Sequence, residues 1–303
     1  MFFIWLRILF MQITNNLNDD ILHAPKWFHE SIQVKAEDLI HQDPLGNLSY
    51  SKWHSKTKNL IIFIHGTGAH KKWWDPIAPQ LIEYSNVIAI DLPGMGNSSF
   101  RTEYKIKDFG DCITALINRE KIEHGIENIY IIGHSLGGHV AGYVASENKD
   151  LIDSIIIIDT FIRPPDYDPS QHTGPLRMIK FYPDKISILK RFRLMPKQEC
   201  VNDWYLRYIA EHSIKETQEG WRWCFDDLLF TNLERLFGYN FSFNCPALFV
   251  HGKDSLLTSG YFLENIKNTY SNIMDFEEVS GAAHHVPLDK PIELVNIIKS
   301  RLF

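Results

Sequence analysis

Ser135 is the residue whose neighbours best equip it to act as a nucleophile. It stands in Gly133-His134-Ser135-Leu136-Gly137-Gly138, after the apolar run Ile129-Tyr130-Ile131-Ile132 and ahead of a segment with helical spacing. A G-x-S-x-G between strand and helix puts the serine in a strained turn with its hydroxyl exposed above a sheet, and the glycines let backbone come close. The N–H groups that open the following helix point at the same spot and suit an oxyanion. A glycine-rich turn with a helix-capping serine would give the same motif by chance. The flanking strand and helix are the context that favours the nucleophile.

A second loop bears on the same chemistry. His65-Gly66-Thr67-Gly68-Ala69 follows the strand-like Leu60-Ile61-Ile62-Phe63-Ile64, and its glycines let N–H groups approach a ligand. The N–H groups of Thr67 and Leu136 are therefore assigned to an oxyanion hole. Trp73 and Trp74 come next, and either could wall a substrate pocket, with core packing as the competing role. Asp91-Leu92-Pro93-Gly94-Met95-Gly96-Asn97-Ser98 supplies neither nucleophile nor base and reads as a structural Pro-Gly loop.

Stepping along the chain gives the elements that must position these groups. Residues 31–36 and 47–53 alternate polar and apolar around Asp43-Pro44-Leu45-Gly46, which predicts two antiparallel edge strands. Residues 60–64 and 86–90 are solid β-branched runs suited to strands buried on both faces, and 129–132 and 153–158 read as further strands, separated by helical stretches near 73–84, 106–120 and after Ser135. This βαβ alternation predicts an α/β fold with a mostly parallel sheet, and ligands in such sheets bind beyond the carboxyl ends of the strands.

The 303 residues, 45% of them hydrophobic, carry a formal net charge of −6. That balance suits one large domain with an insertion and lacks the basic stripe expected of a nucleic-acid binder. Cys112, Cys200, Cys224 and Cys245 show no C-x-x-C pair, so neither a zinc site nor a disulfide framework is indicated and a reduced, cytoplasmic setting is expected. Met1 to Met11 is apolar but about half the length of a spanning helix, and it lacks the basic start and small-residue cleavage site of a signal peptide. Residues 1–20 read as an extension, with an upstream start ahead of Met11 or a short interfacial anchor as its possible origins.

The set His65-Gly66, the Asp91 to Ser98 loop and Gly133-His134-Ser135-Leu136-Gly137-Gly138 resembles the α/β-hydrolase superfamily in order and spacing, over residues 30 to 303. Ala24-Pro25-Lys26-Trp27-Phe28, Trp73-Trp74-Asp75 and Arg191-Phe192-Arg193-Leu194-Met195-Pro196 also resemble a set of uncharacterised bacterial hydrolases, which adds no chemistry. The resemblance implies a histidine base late in the chain, after a small-residue run and ahead of the proline of a closing helix. In Gly281-Ala282-Ala283-His284-His285-Val286-Pro287 that selects His284, with His285 as the alternative. A neutral imidazole can take the Ser135 proton and return it to a leaving group. His65 and His134 flank backbone turns and His139 packs one helical turn after Ser135, although His134 also neighbours the expected pocket.

The acid that orients the base has two candidates. The family usually carries an aspartate three residues past a glycine after the strand Pro246-Ala247-Leu248-Phe249-Val250; here Ser255 holds that place and Asp254 comes one residue early. The other family position is the end of the preceding strand, where Ile155-Ile156-Ile157-Ile158-Asp159-Thr160-Phe161-Ile162-Arg163-Pro164 resembles haloalkane dehalogenases and supplies Asp159. Asp159 is preferred over Asp254, since either carboxylate could orient the imidazole. Dehalogenation is disfavoured because those enzymes attack with a carboxylate where this chain has Ser135.

Residues 161–245 break the sheet pattern over far more than a connecting loop and are read as a helical cap inserted between core segments 21–160 and 246–303. Its aromatics, Trp204 and Trp221 among them, could line an apolar pocket or form the core of the cap. The expected activity is serine hydrolysis of a small-to-medium carboxylic ester through an acyl-enzyme on Ser135. No cofactor, metal, nucleic-acid partner or stable membrane insertion is implied, and a monomer or homodimer is expected. Carbon–carbon bond hydrolysis, cofactor-free perhydrolysis and a slow-turnover ligand sensor are the alternatives the fold alone cannot separate.

Overall fold

The computed structural model describes residues 13–164, 180–234 and 239–303. The stretch Met1 to Met11 and parts of the insertion lie outside the described residues.

Among the described residues there are ten strands: β1 (Glu37–His41), β2 (Leu48–Trp53), β3 (Asn59–Ile64), β4 (Asn86–Ile90), β5 (Asn128–His134), β6 (Ser154–Ile158), β7 (Ile214–Thr217), β8 (Gly220–Trp223), β9 (Ala247–Gly252) and β10 (Asp275–Val279). Eight form one sheet in the order β1-β2-β4-β3-β5-β6-β9-β10. β1 and β2 are antiparallel to each other, β2 is antiparallel to β4, and the remaining pairs are parallel. The expected α/β fold with a mostly parallel sheet is therefore present.

The solid apolar runs are buried on both sides because each strand feeds two cores. Leu60, Ile62, Ile64, Ile131 and Ile157 pack against one helical layer that includes the helices Ile106–His124, Leu136–Glu147 and Gly260–Tyr270. Their neighbours Ile61, Phe63, Ile132, Ile156 and Ile158 pack on the opposite face with the helices Lys26–Gln33, Asp203–His212 and Pro291–Leu302. The period of two that alternates side chains across a strand thus fills both layers. No helix among the described residues is long and apolar enough to cross a membrane.

Three local expectations are corrected. Residues 31–33 end a helix, Lys26–Gln33, rather than opening an edge strand, and the strand follows at β1. Phe28, fully buried against Trp204, Tyr205 and Tyr208, outweighs the local alternation. The expected helix near 73–84 is two short 3-10 turns, Lys71–Trp74 and Ala78–Leu81, with Pro79 in the second. The insertion is not all helical: beside the helices Lys185–Leu189 and Asp203–His212 it holds the antiparallel hairpin β7–β8.

Candidate active site

The turn after β5 requires its glycines. A Cβ on Gly133 would lie 2.1 Å from the Gly137 carbonyl oxygen, and one on Gly137 would lie 2.2 Å from that of Ile64. Only hydrogen fits between strand and helix there, so the chain turns sharply and Ser135 adopts φ 55°, ψ −116°. This left-handed backbone is costly for serine and is held by its surroundings. Ser135 N–H donates to the Ile158 carbonyl at 2.9 Å, and Thr160 Oγ1 donates to the Ser135 carbonyl at 2.9 Å. The serine is partly exposed at the carboxyl end of the sheet.

Asp159 follows β6 and also has positive φ, at 43°. Its carboxylate is fully buried and saturated with donors. Oδ1 accepts from His284 Nδ1 at 2.8 Å and from Ser255 Oγ at 2.7 Å; Oδ2 accepts from the Gly252 N–H at 2.9 Å and from Thr258 Oγ1 at 2.8 Å. Because a carboxylate is an acceptor, His284 Nδ1 carries the proton and Nε2 is left with its basic lone pair. The loop bearing His284 is tied to the serine turn through His134, whose Nε2–H donates to the His284 carbonyl at 2.9 Å. Ser135 Oγ makes no hydrogen bond among the described residues, and His284 Nε2 is likewise left without one.

Of the two candidate acids, the structure brings only Asp159 to His284. Asp254 is exposed, and its backbone N–H donates to the Ala282 carbonyl. His285, the alternative base, is buried with both ring nitrogens lacking a hydrogen-bond partner among the described residues, whereas His284 holds the bond to Asp159. His65 is structural: its Nε2 accepts from the Leu92 N–H at 3.0 Å, and burial pushes its pKa down to about 4. His139 Nε2 donates to the Phe161 carbonyl at 3.1 Å.

The two expected oxyanion donors lie on segments next to the serine turn. Gly66 approaches so closely that its Cβ would stand 3.1 Å from Ser135 Cβ, and Thr67 follows it, exposed. Leu136 opens the helix Leu136–Glu147. Neither N–H donates to another group among the described residues.

The tryptophans are dispersed. Trp73 is near the site, with its ring 6.3 Å from His134 and 5.4 Å from His285. Trp74 instead stacks on Phe63 in the core at 4.4 Å. Trp204 meets Trp27 at a separate open cleft, and Trp221 exchanges backbone hydrogen bonds with Tyr182. The space beside His284 is a cavity of about 450 Å³ whose lining includes Pro196, Gln198, Val201, Asp254, Leu256 and Ala283, so none of the tryptophans borders it.

Two polar residues that sequence reasoning did not single out hold the His284 loop. Gln198 Oε1 accepts from the His285 N–H at 3.1 Å while Gln198 Nε2 donates to Asp289, whose Oδ2 accepts from the Ala283 N–H at 2.9 Å. Nothing local marks Gln198, because its partners lie about ninety residues away.

Fold and site together define a class, and the comparisons agree with it. Residues 59–291 match the family model described as alpha/beta hydrolase fold, and the chain belongs to that family. It is similar to an esterase of Mycobacterium tuberculosis, 21% identical over 270 residues that cover 85% of this chain and 87% of that protein. Among solved structures it is similar to the thioesterase domain from the curacin biosynthetic pathway, with TM-score 0.70 at 20% identity, covering 87% of this chain and 99% of that one. It is also similar to a hypothetical protein of Pseudomonas aeruginosa, with TM-score 0.67 at 19% identity, covering 88% and 98%. The chain is thus a hydrolase of the α/β fold.

Proposed function

We propose that the protein is a serine hydrolase that cleaves small-to-medium carboxylic esters through an acyl-enzyme on Ser135. The observation that carries the proposal is the 2.8 Å contact between His284 Nδ1 and the buried Asp159, tied to a serine turn with φ 55°. In the first half-reaction Ser135 Oγ bonds to the ester carbonyl carbon as its proton passes to His284 Nε2. The carbonyl oxygen becomes an oxyanion that the N–H groups of Thr67 and Leu136 stabilise. The alcohol leaves with the proton from His284, and water then cleaves the acyl-serine by the same steps in reverse. Asp159 keeps the imidazole in the tautomer that exposes Nε2 and stabilises its charged form.

Residues 161–245 are proposed as the cap over this site. Their described part is bonded to the loops around it: Tyr205 Oη donates to the Trp73 carbonyl at 2.5 Å, Tyr208 Oη donates to Asp75 at 2.7 Å, and the Asp226 N–H donates to the Gly94 carbonyl at 2.8 Å. The cavity of about 450 Å³ beside His284 is of small-molecule size, and it is His284 rather than Ser135 that lines it. The acyl-enzyme proposal is tested with p-nitrophenyl esters of graded chain length. A Ser135-dependent burst followed by steady turnover supports it; no turnover across the series by the wild type contradicts it.

A further inference from the structure

His134, His284 and His285 gather in one buried cluster. One ring nitrogen of each lies within 4.8 Å of those of the other two, and the rings are 4.8 to 5.4 Å apart between centroids. Their exposures are 2, 3 and 5%. Two have their tautomers set by hydrogen bonds already described, which leave lone pairs on His134 Nδ1 and His284 Nε2. His285 is different. Its backbone is held by Gln198, yet both ring nitrogens are buried and have no partner among the described residues. Buried polar atoms ordinarily find a partner, and this pair has none although two other imidazoles stand beside it.

A cation can satisfy all three rings together. His134 and His284 each have one ring nitrogen committed to a hydrogen bond and the other left as an acceptor, and both His285 nitrogens are without a partner among the described residues, so each ring can offer a lone pair to a metal. An all-imidazole set suits zinc, copper, nickel or cobalt and discriminates against magnesium and calcium. Zinc–nitrogen bonds of about 2.0–2.1 Å place tetrahedral ligands roughly 3.4 Å apart, so the rings must close by up to about 1.4 Å. His285 can turn without breaking a hydrogen bond. Asp159 behind His284 Nδ1 is the carboxylate–histidine arrangement that orients a metal ligand.

We infer that His134, His284 and His285 form a binding site for a zinc-class divalent cation, which switches the hydrolase off by occupying the His284 Nε2 lone pair. The inhibitory half rests on the proposed serine mechanism; the binding half does not.

The test is to strip the full-length protein with chelator, titrate it with cobalt chloride and record the visible spectrum, then repeat with zinc chloride by calorimetry. One equivalent bound with the intense band of tetrahedral cobalt supports the site. The band should vanish, and affinity fall about tenfold or more, in His285→Ala and in His285→Phe, the second of which refills the buried space and guards against misfolding; thermal melts identify a folded variant. A weak octahedral spectrum, or unchanged affinity in both folded variants, overturns the site. Zinc should abolish p-nitrophenyl ester turnover in the wild type at the concentrations that saturate binding. Saturated yet active enzyme overturns the inhibitory half, whereas His285-dependent binding by a protein with no esterase turnover supports the site and counts against the serine mechanism.

Discussion

Ser255 Oγ donates to Asp159 Oδ1 at 2.7 Å, and the same oxygen accepts from His284 Nδ1. The position at which the resemblance leads one to expect an aspartate is thus occupied by a hydroxyl that supports an aspartate on the neighbouring strand. Asp159 is expected to be the acid: Asp159→Asn should lower kcat on p-nitrophenyl esters by about 10³- to 10⁴-fold, as loss of the tautomer-setting carboxylate does elsewhere. Asp254→Asn should stay within about threefold of wild type, because that side chain is exposed and the imidazole's Nδ1 is already paired with Asp159. Equal losses in the two variants would contradict the assignment.

Thr160 Oγ1 anchors the strained serine turn through the Ser135 carbonyl. Thr160→Val should cut kcat about tenfold with KM unchanged, since a loose turn misplaces Oγ without altering binding. Thr160→Ser, which keeps the hydroxyl, should recover most of the loss. If Thr160→Val and Thr160→Ser are equally slow, the contact is packing alone.

The serine turn has no room for another carbon. Gly137→Ala would drive a Cβ to 2.2 Å from the Ile64 carbonyl oxygen, and two backbones must separate to admit it. A loss of at least about 3 kcal/mol in urea unfolding, or failure to accumulate folded protein, is expected. A variant that melts at the wild-type temperature would show the elbow to be more open than described.

The fold and the tight turn at Ser135 were legible because each rests on local pattern. Buried parallel strands are solid apolar runs, and the glycines at 133 and 137 record a close approach in the sequence itself. What was less legible depends on distant partners. Resemblance alone favoured Asp159 over Asp254, because which strand end faces the His284 loop is a long-range matter; the helix Lys26–Gln33, which the sequence reading missed, depends on Phe28 entering a pocket of aromatics from residues 204–208. Trp204 and Trp221 have the composition of a pocket wall but are used for packing and pairing elsewhere.

Burial makes the fold acid-sensitive. It lowers the pKa of His65 to about 4 and of His134 to about 3, and those of His70 and His285 move the same way. Unfolded, each titrates near about 6.5, so the unfolded chain binds more protons than the folded one below that pH. Their contribution to stability is therefore present above about 6.5 and is lost as pH falls, at about 1.4 kcal/mol per pH unit for each group. Asp91, raised by burial to about 6, works in the opposite sense: its stabilising effect is present at low pH and is lost as pH rises through that value. His41, His212 and His251 are lowered as well, and Asp75 and Asp289 are raised like Asp91; the lowered histidines outnumber the raised carboxyls, so urea midpoints should fall from pH 7 to pH 5 with net proton uptake on unfolding. Midpoints that stay level or rise toward pH 5 would contradict this balance.

The central claim is that Ser135 is acylated, and intact-mass spectrometry after brief reaction with a fluorophosphonate tests it most directly. The wild type should gain one phosphonyl group on the Ser135 peptide, His284→Ala should react far more slowly, and folded Ser135→Ala should gain none. Labelling of folded Ser135→Ala to the same extent, or an unmodified wild type that also fails to turn over any ester, would contradict the mechanism.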